Sequence, residues 1–521
     1  MTAKTSQQPG TDQLAGLTWK SPQLFRLYVC LFSLILFSSS NGYDGSLING
    51  LQSLDSWMTF MQNPSSTWLG FINGMYYVGF LVSLSIAGWT CNKFGRKPSC
   101  WIGIFLLVVG SIVGATAPHD TAFIISRVLI GLSSGFVSTA APLLLSEIAY
   151  PSQRSVVSAC FMVGYYGGAV ISSWVTFATR DYTSSWSWRL PALLQALLPI
   201  VAIPGFFFTP ESPRWLIGVD RVEDARHVLA DMHASGDLHA PLITHEVSEI
   251  QAAITADQEA ESSAGYMDMV KSPGNRHRLL ITVTLGIYSQ WAGNGVVSYY
   301  LALVLDTVGI TETRDQLLIS GCLQIWNLIF AAVGASVVER VGRRPLFLTS
   351  AVVMLASYIT ITGLSGSFAA TGSAPTGTAV IPFIFIYFAG YDIALTPMLT
   401  AYPCEIWPYR LRSRGLSVAW LSAICALIFN TFVNPIALSA IGWRYYFVFV
   451  AVLICYGVTS YFFYPETKGY SLEHMAVIFD GEGAVGGAET GLRRGSEGGN
   501  DSVSEEKEAG VGAGAIEVER I

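Results

Sequence analysis

Long apolar runs separated by short polar stretches fill most of the chain. Twelve stand out, near 24–48, 69–91, 99–117, 121–144, 157–178, 191–209, 279–303, 316–338, 346–365, 378–402, 415–438 and 444–464. Each supplies about the ~20 residues that cross a bilayer. Backbone polar groups in hydrocarbon must be satisfied within the segment, so the pattern predicts helices. The first twenty residues are polar and no small-residue cleavage site follows the first run, so that run reads as a span and not a leader.

The pattern breaks over 210–278. There VDRVEDARHVLADMH sets Val222, Ala225, Leu229 and Met232 on one helical face, which predicts short amphipathic helices linking two halves. From Asp480 onward the chain is rich in Gly, Glu and Ser and reads as a disordered tail. The expected organisation is an N-terminal tail (1–23), a six-helix bundle (24–209), linker helices (210–278), a second six-helix bundle (279–464) and a C-terminal tail (465–521).

Composition agrees. Only 12% of the 521 residues are charged and mean hydropathy is +0.46, where a soluble domain carries roughly 25% charged residues. The net charge of −7 comes largely from linker and tail, and no basic stripe suggests nucleic acid. The eight cysteines lie in or beside apolar runs without a C-x-x-C, so they read as packing residues and not as metal ligands. No nucleophile–base arrangement or phosphate loop suggests an enzyme, and no cofactor is implied.

Lys and Arg set the expected orientation. With the N-terminus inside, only Arg180, Arg189, Arg314 and Arg444 of the 29 basic residues fall on outside loops. Both termini are therefore expected in the cytoplasm. The halves also repeat each other. GWTCNKFGRKP (88–98) returns as SVVERVGRRP (336–345), and Glu147 with Arg154 returns as Glu405 with Arg412. PESPRWL (210–216) returns as PETKGYSL (465–472). Matching marks about 250 residues apart indicate a duplicated six-helix unit.

This set of motifs, spread over both halves, resembles the sugar porter branch of the major facilitator superfamily. GYDGSLINGLQ (42–52), QWAGNGVVSYYL (290–301), DIALTPMLTAYPCEIWPYRLRSRG (392–415) and NTFVNPIALSAIGWRYY (430–446) are similar to fungal lactose permease-like and cellodextrin-type members. The resemblance implies an all-α membrane fold of two pseudo-symmetric six-helix bundles, a central sugar site and rocking alternating access. Many members couple sugar uptake to protons.

The residues at the expected cytoplasmic ends suggest a gate: Asn92, Arg96, Lys97, Glu147, Arg154, Glu211, Arg214, Glu339, Arg343, Arg344, Glu405, Arg412 and Glu466. Opposite charges there can bridge the bundles in one state and part in the other, each pair worth about 0.5–2 kcal/mol. The basic residues alone would serve equally as topology signals; the repeated glutamates favour the gate. Asn92 stands where the family has an acid, which would weaken the latch of the first half.

Clear of the first and last few positions of the predicted spans stand Asp44, Arg127 and Asp392. Such groups are costly in a bilayer and mark function. The resemblance pairs Asp44 with Arg127, the matching aspartate carrying the proton in proton-coupled members; the alternative is a static salt bridge. Asp392 fits either a helix contact or a sugar ligand. Sugar recognition needs hydroxyl-directed polar groups and aromatic faces. Gln290, Trp291, Asn294, Tyr299, Tyr300, Asn327 and Asn430 are the candidates, with interhelical bonding the competing role for the amides. Asn294 stands one position before the asparagine of monosaccharide porters, whose place is Gly295. A common tryptophan aligns with Thr400 and an amide with Met162. Smaller side chains suit a larger ligand.

The expectation is a monomeric plasma-membrane symporter in the lipid bilayer, moving a proton with a sugar, preferably a β-linked disaccharide such as lactose or cellobiose. A facilitative uniporter is the first alternative and a non-transporting sugar sensor the second. The tryptophans of SSWSWRLP (185–191) are expected to anchor at the membrane interface.

Overall fold

A computed structural model describes residues 22–263, 265–468, 475 and 478–480. The C-terminal tail beyond Asp480 lies outside the described residues.

The first half contains α1 (Pro22–Gln52), α2 (Ser66–Phe94), α3 (Arg96–Ala115), α4 (Asp120–Ile148), α5 (Arg154–Thr179) and α6 (Trp186–Phe208). The last is interrupted by a 3-10 turn at Leu194–Ala196. The second half contains α7 in two pieces (Pro273–Trp291 and Asn294–Asp306), α8 (Thr313–Val341), α9 (Arg343–Thr371), α10 (Val380–Ile406), α11 (Arg412–Ile441) and α12 (Tyr446–Phe463). Among the described residues, ten stretches are long and apolar enough to span a membrane by their own composition. One of them holds both α11 and α12, and the broken α7 completes the twelve.

The linker forms helices at Pro213–Gly218, Val222–His233, Pro241–Ser263 and Asp268–Lys271. Of the predicted face, Ala225, Leu229 and Met232 are at most 3% exposed and Val222 is half-buried. Ala225 and Leu229 join Leu216, Ile243 and Val247 in a linker cluster, while Met232 packs with Leu242 into the core of the first half. We call the side that carries the linker the linker face and the opposite one the far face.

Helices approach closely where the chain has glycine. A β-carbon on Gly42 of α1 would sit 1.7 Å from the Tyr165 carbonyl oxygen, and one on Gly168 of α5 would sit 1.6 Å from that of Ser39. No L side chain fits between backbones at that distance. Trp188 corrects an expectation. It is fully buried, packed against Phe60 and Phe123, and is part of the core; Trp186 is exposed.

The two halves meet at the far face. Phe432 of α11 packs on Gly70 and Gly74 of α2, and Trp174 of α5 on Gly321 of α8. Tyr300 and Leu317 join Tyr43, Leu47 and Trp57 in one cluster that crosses between the halves. The Asn49 Oδ1 of α1 accepts from the Leu301 amide at 3.0 Å, and Gln52 Nε2 donates to the Tyr299 carbonyl at 2.9 Å.

Candidate functional site

The break in α7 organises the centre of the molecule. Gly293 takes a left-handed φ of +107°, which ends one helical piece and starts the next. Breaking a helix inside a membrane frees carbonyl groups that neighbours must satisfy. Four side chains do so. Tyr391 donates to Ser289 O (2.7 Å), Asn430 to Gln290 O (2.9 Å), Tyr387 to Ala292 O (3.1 Å) and Tyr358 to Gly293 O (2.8 Å). The polar, glycine-broken segment is therefore held in one shape by α9, α10 and α11.

Asn294 and Gln290 lie at this break, Asp392 is next to Tyr391 in sequence, and Asn327 is a further buried candidate on α8. Asn294 Nδ2 donates to the Tyr391 hydroxyl at 3.0 Å, while Asn294 Oδ1 has no protein donor. Asn327 is 4% exposed and its Oδ1 likewise has none. Asp392 is fully buried, with Oδ1 accepting from Tyr166 (2.6 Å) and Thr396 (3.1 Å) and Oδ2 from nothing in the protein. Three buried acceptors on α7, α8 and α10 are thus unspent. Buried acceptors left unpaired are costly, and a polyhydroxylated ligand supplies donors. Gln290 is half-buried, its side chain reaching Ser289 Oγ at 3.3 Å.

Other candidates turn out to be committed. The Tyr300 hydroxyl donates to Thr431 O at 2.6 Å and its ring is sealed in the far-face cluster, so it holds α7 to α11 instead of lining a site. Trp291 Nε1 donates to Ala426 O at 3.0 Å, with its ring tilted on Phe429. Tyr299 remains half-buried, edge-on to Tyr77 of the first half at 5.7 Å. Asn430 occupies the room expected at Gly295: a β-carbon there would meet Asn430 Nδ2 at 2.2 Å. The asparagine expected from α7 is absent, and one from α11 fills its space.

Asp44 is fully buried and Arg127 is 3% exposed. The expected ion pair is not formed in this structure. No donor reaches either Asp44 oxygen, and the guanidinium instead lies over the Tyr76 ring, 4.9 Å from its centroid. Tyr76 in turn donates to Ser134 at 2.9 Å.

At the linker face, expected gate charges pair within each half. Arg96 bonds Glu147 (3.2 and 3.3 Å), and Arg343 bonds Glu405 (2.7 and 3.1 Å). Arg154 reaches the Ala149 carbonyl, Arg412 lies over Tyr409, and Arg344 donates to Tyr461 O. Lys97 donates to Phe207 O and the Asn92 carbonyl accepts from Trp215. The Glu339 side chain lies outside the described residues. A link to the second half runs through the linker helix Pro241–Ser263, whose Asp257 meets Arg214 of the first linker helix at 3.5 Å and bonds Tyr409 of the second half.

Glu211 and Glu466 do the same work twice. Glu211 accepts from the amides of Arg96 (2.9 Å) and Lys97 (3.1 Å), capping α3; Glu466 accepts from those of Arg343 (2.9 Å) and Arg344 (3.0 Å), capping α9. Gly95 and Gly342, at φ +108° and +104°, leave the room each carboxylate needs.

The comparisons with known proteins agree with this architecture. The family model described as "Sugar (and other) transporter" matches residues 29–479. The chain belongs to this sugar transporter family of the major facilitator superfamily. Its members are transporters and not enzymes, and the transporter is an integral multi-pass membrane protein. It is 25% identical to a high-affinity glucose transporter of Kluyveromyces lactis, over 88% of this chain and 85% of that one. It is 28% identical to the galactose-proton symporter of Escherichia coli K12, over 75% and 81%. Among solved structures, the inward open xylose transporter XylE of E. coli superposes with a TM-score of 0.72 at 22% identity, covering 87% of this chain and all of that one. That likeness shows the shared fold.

Proposed function

We propose that the transporter is a plasma-membrane symporter that imports a sugar with a proton, its termini and linker on the cytosolic side. The observation that carries this reading is Asp44: a carboxyl group wholly inside α1, with no protein donor on either oxygen and Arg127 unpaired to it. Ionised and unpartnered, it would be costly at that depth; a group placed there suits binding and releasing a proton during a cycle. The galactose-proton symporter among its relatives supports the same reading.

Asn294, Asn327, Asp392 and Gln290 are the proposed sugar ligands, with Tyr299 as an aromatic face. The proposed gate charges act within each half, Arg96 on Glu147 and Arg343 on Glu405, and hold each bundle's helix ends together as the halves rock. A β-linked disaccharide such as lactose or cellobiose is the proposed substrate, in line with the resemblance to fungal lactose and cellodextrin carriers. Thr400 and Met162 support a larger ligand; Gly295 does not, since Asn430 fills its space.

One charge crossing 100 mV gives about 2.3 kcal/mol, or roughly fifty-fold accumulation before any pH gradient counts. The test is uptake of labelled lactose, cellobiose, xylose, galactose and glucose in yeast lacking sugar transporters, with external pH recorded. Sugar-dependent alkalinisation is expected. Uptake that an uncoupler leaves unchanged would show a uniporter.

A further inference from the structure

Tyr166 belongs to none of the motifs, yet it makes a polar bond between the halves at the depth of the sugar ligands. It reaches from α5 to Asp392 Oδ1 of α10 at 2.6 Å. The hydrogen bonds from Asn49 and Gln52 to α7 lie nearer the far face. Tyr391, beside Asp392 in sequence, carries the Asn294 amide. The Tyr166–Asp392 bond thus sits within the proposed site.

Unlike Asp44, Asp392 keeps donors on one oxygen, as its ionised form requires in every state, because a buried carboxylate without them is strongly disfavoured. When the carrier is loaded, sugar hydroxyls supply them. A symporter must also return empty, and Thr396 alone, on the same helix and on the same oxygen, leaves little to satisfy the group. A phenol presents the same O–H donor as a sugar hydroxyl. We propose that Tyr166 stands in for a sugar hydroxyl on Asp392 while the empty carrier returns, and yields that place when sugar binds. The proposal rests on the reading of Asp392 as a sugar ligand. Tyr166 is thereby a positioning residue for the empty carrier, since it acts through Asp392 and does not itself hold sugar.

Two transport modes separate this role from a structural one. Net uptake requires the empty return; exchange, with sugar on both sides, does not. Tyr166→Phe is expected to cut net uptake roughly tenfold, the scale of one lost bond to a charged group, while exchange stays within about threefold of wild type. Rates are normalised to protein in the membrane. An equal fall in both modes, or a fall in neither, overturns the proposal. Tyr166→Gln keeps a donor and is expected to restore the ratio of net uptake to exchange to within about threefold of wild type. A glutamine variant that exchanges sugar but loses net uptake overturns the proposal by itself, whether or not the phenylalanine variant reaches the membrane. Wild-type exchange of none of the five sugars would overturn the transport reading as well, so the two failures are distinguishable.

Discussion

Asp44 is positioned by its neighbours' lack of side chains. Gly42 lets the Tyr165 backbone approach, and a β-carbon on Gly45 would sit 2.6 Å from the Tyr165 hydroxyl. The carboxyl group is thus fixed by helix packing and not by a bonded partner, which makes Asp44→Asn a clean probe: nearly the same shape, without the titration. The expected result is that accumulation of sugar falls to about the external concentration while exchange persists within about threefold. Uphill uptake in the asparagine variant would remove Asp44 from proton coupling. A second residue tests how the proposed sugar site is packed. Gly295→Asn puts an amide where monosaccharide porters have one, but its β-carbon meets Asn430. Overpacking of this kind costs about 1–3 kcal/mol. Gly295→Asn is therefore expected to lower the melting temperature in detergent, and Gly295→Asn with Asn430→Gly to recover it in part, since the Gln290 carbonyl then loses its Asn430 donor. The chain sequence shows Asn294, Gly295 and Asn430 as separate facts. That Asn430 fills the space of Gly295 depends on how α7 breaks and where α11 lies against it, which no local pattern encodes.

At the scale of elements, the duplicated cap is the clearest case of a motif whose place was legible and whose partner was not. PESPRWL and PETKG mark the ends of α6 and α12, but Glu211 caps a helix that starts 115 residues earlier and Glu466 one that starts 123 residues earlier. The two caps differ in setting. Burial pushes Glu211 above the ordinary carboxylate range, and the amides of Ser212, Arg96 and Lys97 do not fully offset it. Glu466 also feels burial, but the amides of Arg343, Lys468, Arg344 and Thr467 outweigh it and hold the group below that range. A depressed carboxyl contributes stability above its unfolded value of about 4.5, and that contribution is lost as pH falls through the lower folded value. Glu466→Gln is accordingly expected to cost about 1 kcal/mol at pH 7, the scale of a lost helix cap. The difference from wild type shrinks as the pH of the melting buffer falls below about 4.5. For Glu211, burial works against the ionised cap, so Glu211→Gln is expected to cost less at pH 7, and a larger loss there than for Glu466→Gln would contradict this account. Trp188 makes the converse point. Its flanking Ser and Arg residues read as a membrane surface, and only the packing of Phe60 and Phe123 around it reveals a core position.

For the whole molecule, twelve spans and two halves follow from hydrophobic runs and repeated motifs, because each span must satisfy its own backbone. The state of the carrier does not, because it depends on which helix ends touch. Here the far face is closed, and its closure uses unusual groups. Tyr300 leaves helical geometry at φ −140°, ψ 33°, and the next amide, that of Leu301, bonds Asn49 on the other half. Gln52, one turn further along α1, takes the Tyr299 carbonyl. Parting the halves at this face therefore strands a backbone donor and acceptor unless α7 rewinds to bond them internally. Each bond is worth about 1 kcal/mol net, so replacing both residues with leucine should shift the balance toward the far-face-open state by roughly tenfold or more. A cysteine at Leu47, within the far-face cluster, reports that state in a variant whose eight native cysteines are replaced by serine. In that background, Asn49→Leu with Gln52→Leu is expected to speed labelling by a membrane-impermeant maleimide about tenfold, with the single variants in between. Equal rates in all four proteins would mean that the apolar cluster of Tyr43, Leu47, Trp57, Tyr300 and Leu317 closes this face unaided, and that the two amides merely satisfy a kink that is present in every state.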